Sequence, residues 1–475
     1  LSFTPTLEQL AIVEAAVSSS DNLLIEALAG AAKTSTLVLI AEALPGERIL
    51  SLAFNKRIAT EMTARLPSNC EAKTLNGLGH GVWADAIGRR LTIDTGKVYK
   101  ILSTLIAKLP KDLQSAAYAA LAELIQAVSF GKACGYVPAG VDKMKRLMDD
   151  GEFFSHLEEE LEPWKQELIA EASAISIKQA WQGLCDFDDQ ILMPTLATGV
   201  FPRYPLVLID EAQDLSALNH AMLQKLVKKR IIAVGDSAQA IYGFRGAHQD
   251  SMSLLAQQFT MKRLSLTISF RCPRAVVEAA RFRAPMMRYP EWAIEGEVAH
   301  LGEWTPATIP DYASVLCRNN SPLFSVAIKL LKAGRYPELI GNDIGKGLLK
   351  IMSKFGPPKM PKADVLSAIE TWRSEKLEKS RAIASVNDKA DCLIIFASMG
   401  DNLGEAIAYA EHIFASSGPI KLMTVHKAKG LEFDDVFFLD HQLIGKEKQE
   451  PNLRYVAITR AKKRLTYIRS DDFRA

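Results

Sequence analysis

The chain has 475 residues, 48% of them hydrophobic, with 57 Lys and Arg against 55 Asp and Glu for a formal charge of +2. Its length calls for about two to four cores, its composition excludes wholesale disorder, and its near-neutral charge confines any polyanion-binding surface to a local patch. Six cysteines, at 70, 134, 185, 272, 317 and 392, form no CxxC pair, which excludes a disulfide framework or thiolate metal site by pattern, and the apolar runs stop short of the roughly 18 residues of a membrane span.

Residues 3–17, FTPTLEQLAIVEAAV, read as a capped amphipathic helix started by Thr4 and Pro5. Leu7, Leu10, Ile12 and Val13 supply its apolar face, and Gln9 is its notable polar residue. LLIEALAGAAKT (23–34) then passes from an apolar run through a small-residue turn to Lys33, Thr34 and another apolar run: strand, tight loop, helix. Curled backbone N–H groups and the positive end of the helix suit an anion, with Lys33 reaching β/γ-phosphates and Thr34 ligating Mg²⁺. The spacing is that of a phosphate loop, but Ala27 and Ala32 occupy its outer glycine positions and leave Gly30. An ordinary buried α/β turn ending in lysine is the competing reading. No signal peptide precedes this segment, so an intracellular enzyme is the default expectation.

RILSLAFN (48–55) reads as a strand with a polar tip, and AKTLNGLGHGVW (72–83) as a third strand-like unit. Strands alternating with helices in this way predict a parallel sheet with ligand loops at its carboxyl ends. From about 90 to 190 helical patterns take over, as in VYKILSTLIAKL and AAYAALAELIQAV, consistent with a helical insertion between strands. Its basic positions Lys132, Lys143, Lys145 and Arg146 either touch DNA or form a solvated face.

PLVLIDEAQDLS (205–216) ends a buried strand in two carboxylates. Asp210 would hold a Mg²⁺ hydration shell and Glu211 would accept a proton from attacking water; the alternative is a surface helix N-cap, for which Asp214 also qualifies. In IIAVGDSAQAIYGFRGA (231–247), Asp236 and Gln239 would orient water or metal. Tyr242, Phe244 and Arg245 combine stacking surface with a cation, which suits single-stranded bases and phosphates, or else they are a core aromatic pair with a structural arginine. LSLTISFRCP (264–273) is the next strand, and ASVLCRNN (313–320), DCLIIFAS (391–398), KLMTVHKAKGLEFDDVFFLD (421–440) and LTYIRS (465–470) read as strands of a second sheet. Residues 339–390, Lys-rich and punctuated by proline, are either a small helical insert with a basic face or a solvated linker. Arg271 and Arg460 are candidates to neutralise charge on a γ-phosphate, or surface ion-pair formers.

Taken together, FTPTLEQ (3–9), ALAGAAKT (27–34), SLAFNKRIATEM (51–62), TLNGLGH (74–80), VLIDEAQD (207–214), GDSAQAIYGFRGA (235–247), ISFRCP (268–273), TVHKAKGLEFDDVFF (424–438) and LRYVAITRAKKRL (453–465) resemble, in order and spacing, the motifs of superfamily 1 helicases of the UvrD/Rep/PcrA type. The short form is similar to F-box DNA helicases and related phage and bacterial proteins. This resemblance implies an α/β fold of two RecA-like parallel-sheet motor domains, a P-loop NTPase with a helical insertion in the first and a small insertion in the second. The implied boundaries are 1–90 plus 191–272 for the first motor domain, 91–190 for its insertion, 273–338 plus 391–475 for the second, and 339–390 for the basic insertion.

The resemblance further implies an ATP-dependent DNA helicase that translocates on single-stranded DNA, 3′ to 5′, as the two domains close on ATP and Mg²⁺. Gln9 would read adenine and Phe270 stack on it. Gly30, Ala31, Ala32, Lys33, Thr34 and Ser35 would cradle phosphate. Thr34 and Asp210 would hold the metal, Glu211 would be general base, and Gln239 would sense the γ-phosphate. Arg271 and Arg460 would be fingers, and Glu432 would contact ribose or couple nucleotide state to the second domain. Phe54, Asn55, Asn76, Tyr242, Phe244, Arg245 and His426 would line the strand track. Tailed or forked duplexes, replication or repair proteins as partners, action as a monomer away from membranes, and a cytoplasmic, nucleoid-associated or nuclear location are also implied. Two other readings stay open: a scaffold that has lost hydrolysis through Ala32, and an RNA-directed motor.

Overall fold

The computed structural model describes residues 4–53, 55–157, 161–243, 246, 250–341, 343–379, 383–446 and 449–474. It divides into two compact units, residues 1–266 and 267–475, each built on its own parallel sheet. In the first unit the strands are β1 (Leu23–Ala27), β2 (Ile49–Leu52), β3 (Cys70–Lys73), a short pair β4 (Thr92–Ile93) and β5 (Leu184–Cys185), then β6 (Tyr204–Ile209), β7 (Val227–Gly235) and β8 (Lys262–Leu266). The main sheet runs β3-β2-β6-β7-β1-β8, all parallel. Its inner strands carry near-continuous apolar runs, such as Leu206–Ile209 and Ile231–Val234, because helices cover both faces, whereas the edge strands β3 and β8 are polar and partly exposed. Leu23 and Ile25 enter one core with Ile12, Leu37 and Ile40, whereas Leu24 enters the other with Leu50, Val207 and Ile231. The order β6-β7-β1 brings the loops after those strands side by side at the carboxyl edge, where parallel sheets bind ligands.

The second unit holds β9 (Glu297–His300), β10 (Ser314–Cys317), β11 (Pro337–Leu339), β12 (Ile420–Thr424), β13 (Phe433–Leu439) and β14 (Ala461–Ile468), ordered β11-β12-β10-β13-β14-β9 and again all parallel. Both units are thus RecA-like α/β sheets, as expected.

Several local expectations are corrected. The first helix, Leu7–Ser18, is capped by Thr6 rather than Thr4, and it buries Gln9, Ile12 and Ala16 while Leu7 and Leu10 are 85% and 50% exposed. Glycine-rich TLNGLGHGVW is not strand beyond Lys73: Thr74 accepts the Gly77 N–H and opens helix Leu75–Ile87. Glycine is needed there for close approach, since a Cβ on Gly79 would lie 2.0 Å from the Gln190 carbonyl oxygen of helix Asp189–Leu196.

DCLIIFAS belongs to helix Ile383–Ala397, which buries Val386, Ala390, Leu393 and Ala397 at helical spacing. A short apolar run does not by itself distinguish a buried strand from a buried helix. Nor is the Lys-rich segment a linker. Helices Asp343–Met352, Lys362–Lys379, Ile383–Ala397 and Leu403–Ala415 fill the connection between β11 and β12, past residue 390, and place Leu348, Met352, Val365, Ile369 and Phe396 in the unit's core.

The largely helical stretch between helix Leu75–Ile87 and β6 has its own core around Leu102, Val128, Tyr136, Phe153 and Leu168. Lys132 lies inside rather than on a basic face. It is 2% exposed and binds Asp186 (2.5 Å) and Asp189 (2.8 Å), while Lys97 holds Asp189 from the other side (2.5 Å). Lys143, Lys145 and Arg146 are exposed, and Arg146 donates to the carbonyls of Val137, Pro138 and Val141.

Candidate nucleotide site and strand track

Helix Lys33–Ala43 follows the small-residue loop, and no side chain caps it. The neighbouring helices Leu7–Ser18, Lys56–Thr63, Leu75–Ile87 and Ala217–Leu226 are capped by Thr6, Asn55, Thr74 and Ser216. Helix-start N–H groups left without a side-chain acceptor are the donors an anion takes. The backbone curls toward them through two left-handed residues, Gly30 (φ 75°) and Ala32 (φ 55°, ψ 40°). Ala32 therefore carries a Cβ in a conformation that ordinarily favours glycine.

Thr34 and Asp210, 176 residues apart in sequence, meet through a 2.8 Å hydrogen bond from Thr34 Oγ1 to Asp210 Oδ2. Beside them Lys33 Nζ lies 3.5 Å from Glu211 Oε2. Glu211 also sits in the left-handed region (φ 54°), two residues beyond the end of β6 and just before the turn Ala212–Asp214. Burial, reinforced by the adjacent Glu211 charge, pushes the Asp210 carboxyl up to about 6. A hydroxyl and a carboxylate at this separation, next to a lysine and uncapped amides, fit a magnesium nucleotide: both oxygens suit a hard cation that keeps several waters.

On the next loop, Gln239 is 4% exposed and donates to Asp236 Oδ2 (2.6 Å). Burial raises the Asp236 carboxyl above the usual range, with the Lys33 charge acting against it. The Gln9 side chain is committed at both ends. Its Oε1 accepts the Thr6 N–H (3.0 Å), and its Nε2 donates to Thr36 Oγ1 (3.0 Å), which in turn donates to the Ala32 carbonyl (3.1 Å). Ser35 accepts from the exposed Arg65 (3.0 Å), and Ala31 is buried.

In the second unit Arg271, Glu432 and Arg460 come together. Arg271 pairs with Glu432, and its Nη1 reaches the Thr459 carbonyl at 3.5 Å. Arg460, 1% exposed, donates to the carbonyls of Val456 and Leu431. Burial, then the neighbouring Arg271 charge, draws its guanidinium down to about 10. Arg460 is thus no surface ion-pair former, whereas Arg271 does form an ion pair, with the partly exposed Glu432. Phe270 stacks on Trp292 (centroids 6.2 Å, 27° between planes), and Trp292 is 71% exposed.

The track residues are less uniform. Phe54, Phe244 and Arg245 lie outside the described residues. Tyr242 and His426 are half-buried. Asn55 spends its side-chain oxygen capping helix Lys56–Thr63. Asn76 donates to the Phe187 carbonyl (2.7 Å) and to Gln190 Oε1 (3.2 Å), so it braces a loop that presents Phe187 at 56% exposure.

Sequence reasoning missed Phe187, Trp292, Thr36 and Gln213. An exposed aromatic inside a charged run (CDFDDQ) was the available signal for Phe187; nothing in the pattern foretold that Gln213 would be buried.

A phosphate loop facing a strand-end carboxylate pair, on a parallel sheet joined in sequence to a second, defines a P-loop NTPase of the two-unit kind. Residues 8–260 match the UvrD/REP helicase N-terminal domain and residues 367–471 the UvrD-like helicase C-terminal domain. The chain belongs to the UvrD/Rep helicase family.

Among similar proteins, F-box DNA helicase protein 1 of Schizosaccharomyces pombe is 27% identical over 521 residues, covering 97% of this chain and 57% of that protein. F-box DNA helicase 1 of Gallus gallus is 25% identical, covering 97% and 48%. ATP-dependent DNA helicase Rep of Escherichia coli is 35% identical over 106 residues, 20% of this chain and 16% of its own. The chain spans about half the length of the two F-box relatives. Among the described residues no helix is long and apolar enough to cross a membrane.

Proposed function

We propose that the protein is an ATP-dependent DNA helicase that translocates 3′ to 5′ on single-stranded DNA. The observation that carries this reading is the meeting of Lys33 and Thr34 with Glu211 and Asp210 at one sheet edge. On this reading the amides of Ala32 to Ser35 and the Lys33 ammonium hold phosphate, and Thr34 and Asp210 hold Mg²⁺, which when bound neutralises charge on the phosphates. Glu211 accepts the proton of attacking water, and Gln239 contacts the γ-phosphate. Arg271 and Arg460 supply positive charge to the transferred γ-phosphoryl, Glu432 contacts ribose or couples nucleotide state to the second motor domain, and Gln9 and Phe270 bind adenine. Phe54, Asn55, Asn76, Tyr242, Phe244, Arg245 and His426, with the exposed Phe187, contact the strand.

Residues 91–190 and 339–390 are on this reading insertions in the two motor domains, whose remaining segments are 1–90 with 191–272 and 273–338 with 391–475. Stacking worth about 1–3 kcal/mol per base grips any sequence yet releases it each cycle, as a motor requires.

The test is ATP hydrolysis with and without oligo(dT), together with unwinding of duplexes bearing a 3′ or a 5′ tail. Strand-stimulated turnover that disappears in Lys33→Ala, with unwinding of the 3′-tailed duplex, is expected. Turnover at background in wild type and variant alike would refute it.

A further inference from the structure

Gln213 stands between the Asp210–Glu211 carboxylate pair and the Asp236–Gln239 loop. It is 1% exposed, and its amide is used at both ends. Nε2 donates to Glu211 Oε2 at 2.6 Å and, more loosely, to Asp214 Oδ2 at 3.4 Å, and Oε1 accepts the Asp236 N–H at 3.0 Å. Asp236 then carries the chain onward, its Oδ1 accepting the Ala238 N–H (3.0 Å) and its Oδ2 accepting from Gln239 Nε2 (2.6 Å). Glu26 of β1 secures the same loop by accepting from the N–H (2.8 Å) and the hydroxyl (3.0 Å) of Ser237.

The partners of Gln213 fix which end of the amide faces which. A carboxylate takes only a donor and a backbone N–H only an acceptor, so the flipped amide would lose both bonds. The fit is tight as well: a Cβ on Gly235 would lie 2.7 Å from Gln213 Oε1 and 2.6 Å from Met252 Sδ. Glu211, with its backbone held at φ 54° and its side chain 25% exposed, is gripped by the buried Gln213 amide on one side and faces Lys33 Nζ at 3.5 Å on the other.

We infer that Gln213 is a positioning residue for hydrolysis. It orients the Glu211 carboxylate toward the attacking water and ties that orientation to the Asp236–Gln239 loop, so a shift of Gln239 is transmitted to the base. This rests on the assignment of Glu211 as base in the proposed motor.

The experiment compares wild type, Gln213→Met, Gln213→Glu, Glu211→Gln and the Gln213→Met/Glu211→Gln double variant. Each is assayed for oligo(dT)-stimulated phosphate release and for affinity toward a fluorescent ATP analogue with Mg²⁺. Gln213→Met should lower kcat about 10- to 100-fold, the scale of a misaligned reacting group, with nucleotide affinity unchanged. Placed on Glu211→Gln it should add nothing, because residues acting as one unit are non-additive. Gln213→Glu keeps the acceptor for Asp236 but loses the donor to Glu211, so it should lose kcat as well; it serves if the Met variant does not fold.

An equal loss from Gln213→Met in both backgrounds, a parallel loss of nucleotide affinity, or wild-type kcat in Gln213→Glu would each overturn the inference. Glu211→Gln turning over at the wild-type rate would instead refute the base assignment, and is read from that single variant alone.

Discussion

Replacing Ala32 with glycine should make the protein more stable, the reverse of what an alanine-to-glycine change does almost everywhere else. Ala32 occupies φ 55°, ψ 40°, where a Cβ crowds the following carbonyl at a cost of about 1–2 kcal/mol. Glycine removes that cost but frees the unfolded chain, which takes back roughly 0.4–1 kcal/mol. The balance favours glycine by about 1 kcal/mol, which in a unit of this size is a rise of about 2–4 °C in Tm. The neighbouring Ala31 is buried and is not among the positive-φ residues. There Ala31→Gly loses a packed methyl, worth about 0.8 kcal/mol, and gains chain entropy on unfolding. Thermal unfolding of the two variants by circular dichroism, at one scan rate in EDTA, should therefore move Tm in opposite directions. If Ala32→Gly fell as far as Ala31→Gly, the phosphate loop would not hold residue 32 in the left-handed well.

The charge cluster of Lys97, Lys132, Asp186 and Asp189 gives a second contrast: Lys132→Met strands the buried Asp186 carboxylate, leaves Asp189 with Lys97 alone and should cost about 3–5 kcal/mol in denaturant unfolding, whereas exposed Lys143→Ala should fall within about 0.5 kcal/mol of wild type. Asp210, lifted to about 6 in the folded protein, takes up a proton on folding wherever the unfolded carboxyl, near 3.9, has lost its own. Stability in EDTA relative to Asp210→Asn should therefore fall as pH rises from about 4 to 6 and level above that; a gap that guanidinium unfolding finds independent of pH would contradict the assignment. Trp292 stacks on Phe270, so ADP binding at Phe270 should change tryptophan fluorescence in wild type and not in Trp292→Phe; an identical change in both would separate Phe270 from the nucleotide.

The sheet strands were legible because residues such as Leu206–Ile209 and Ile231–Val234 are continuous apolar runs ending in chemistry-bearing loops. The phosphate loop and carboxylates were legible by spacing, and the structure brings Lys33, Thr34, Asp210 and Glu211 together. What periodicity does not carry is which partner an apolar or charged residue meets. Cys392 to Ala397 looks the same whether it lies in a sheet or turns its Leu393 and Ala397 into a helical core. Lys132 reads as surface until Asp186 and Asp189 arrive from fifty residues away. Leu7 and Leu10 fit an apolar stripe, yet the helix turns Gln9 inward because Thr36 is there to bind it.

The missing side chain at Gly235 bears on how such chains diverge. A single methyl there would occupy the space now taken by the Gln213 carbonyl oxygen and the Met252 sulfur. A lineage that acquired alanine at this point would have to shift its strand or surrender the amide bridge. Reading that one position across genomes would sort descendants that preserved the linkage from those that had to find another way to hold this carboxylate.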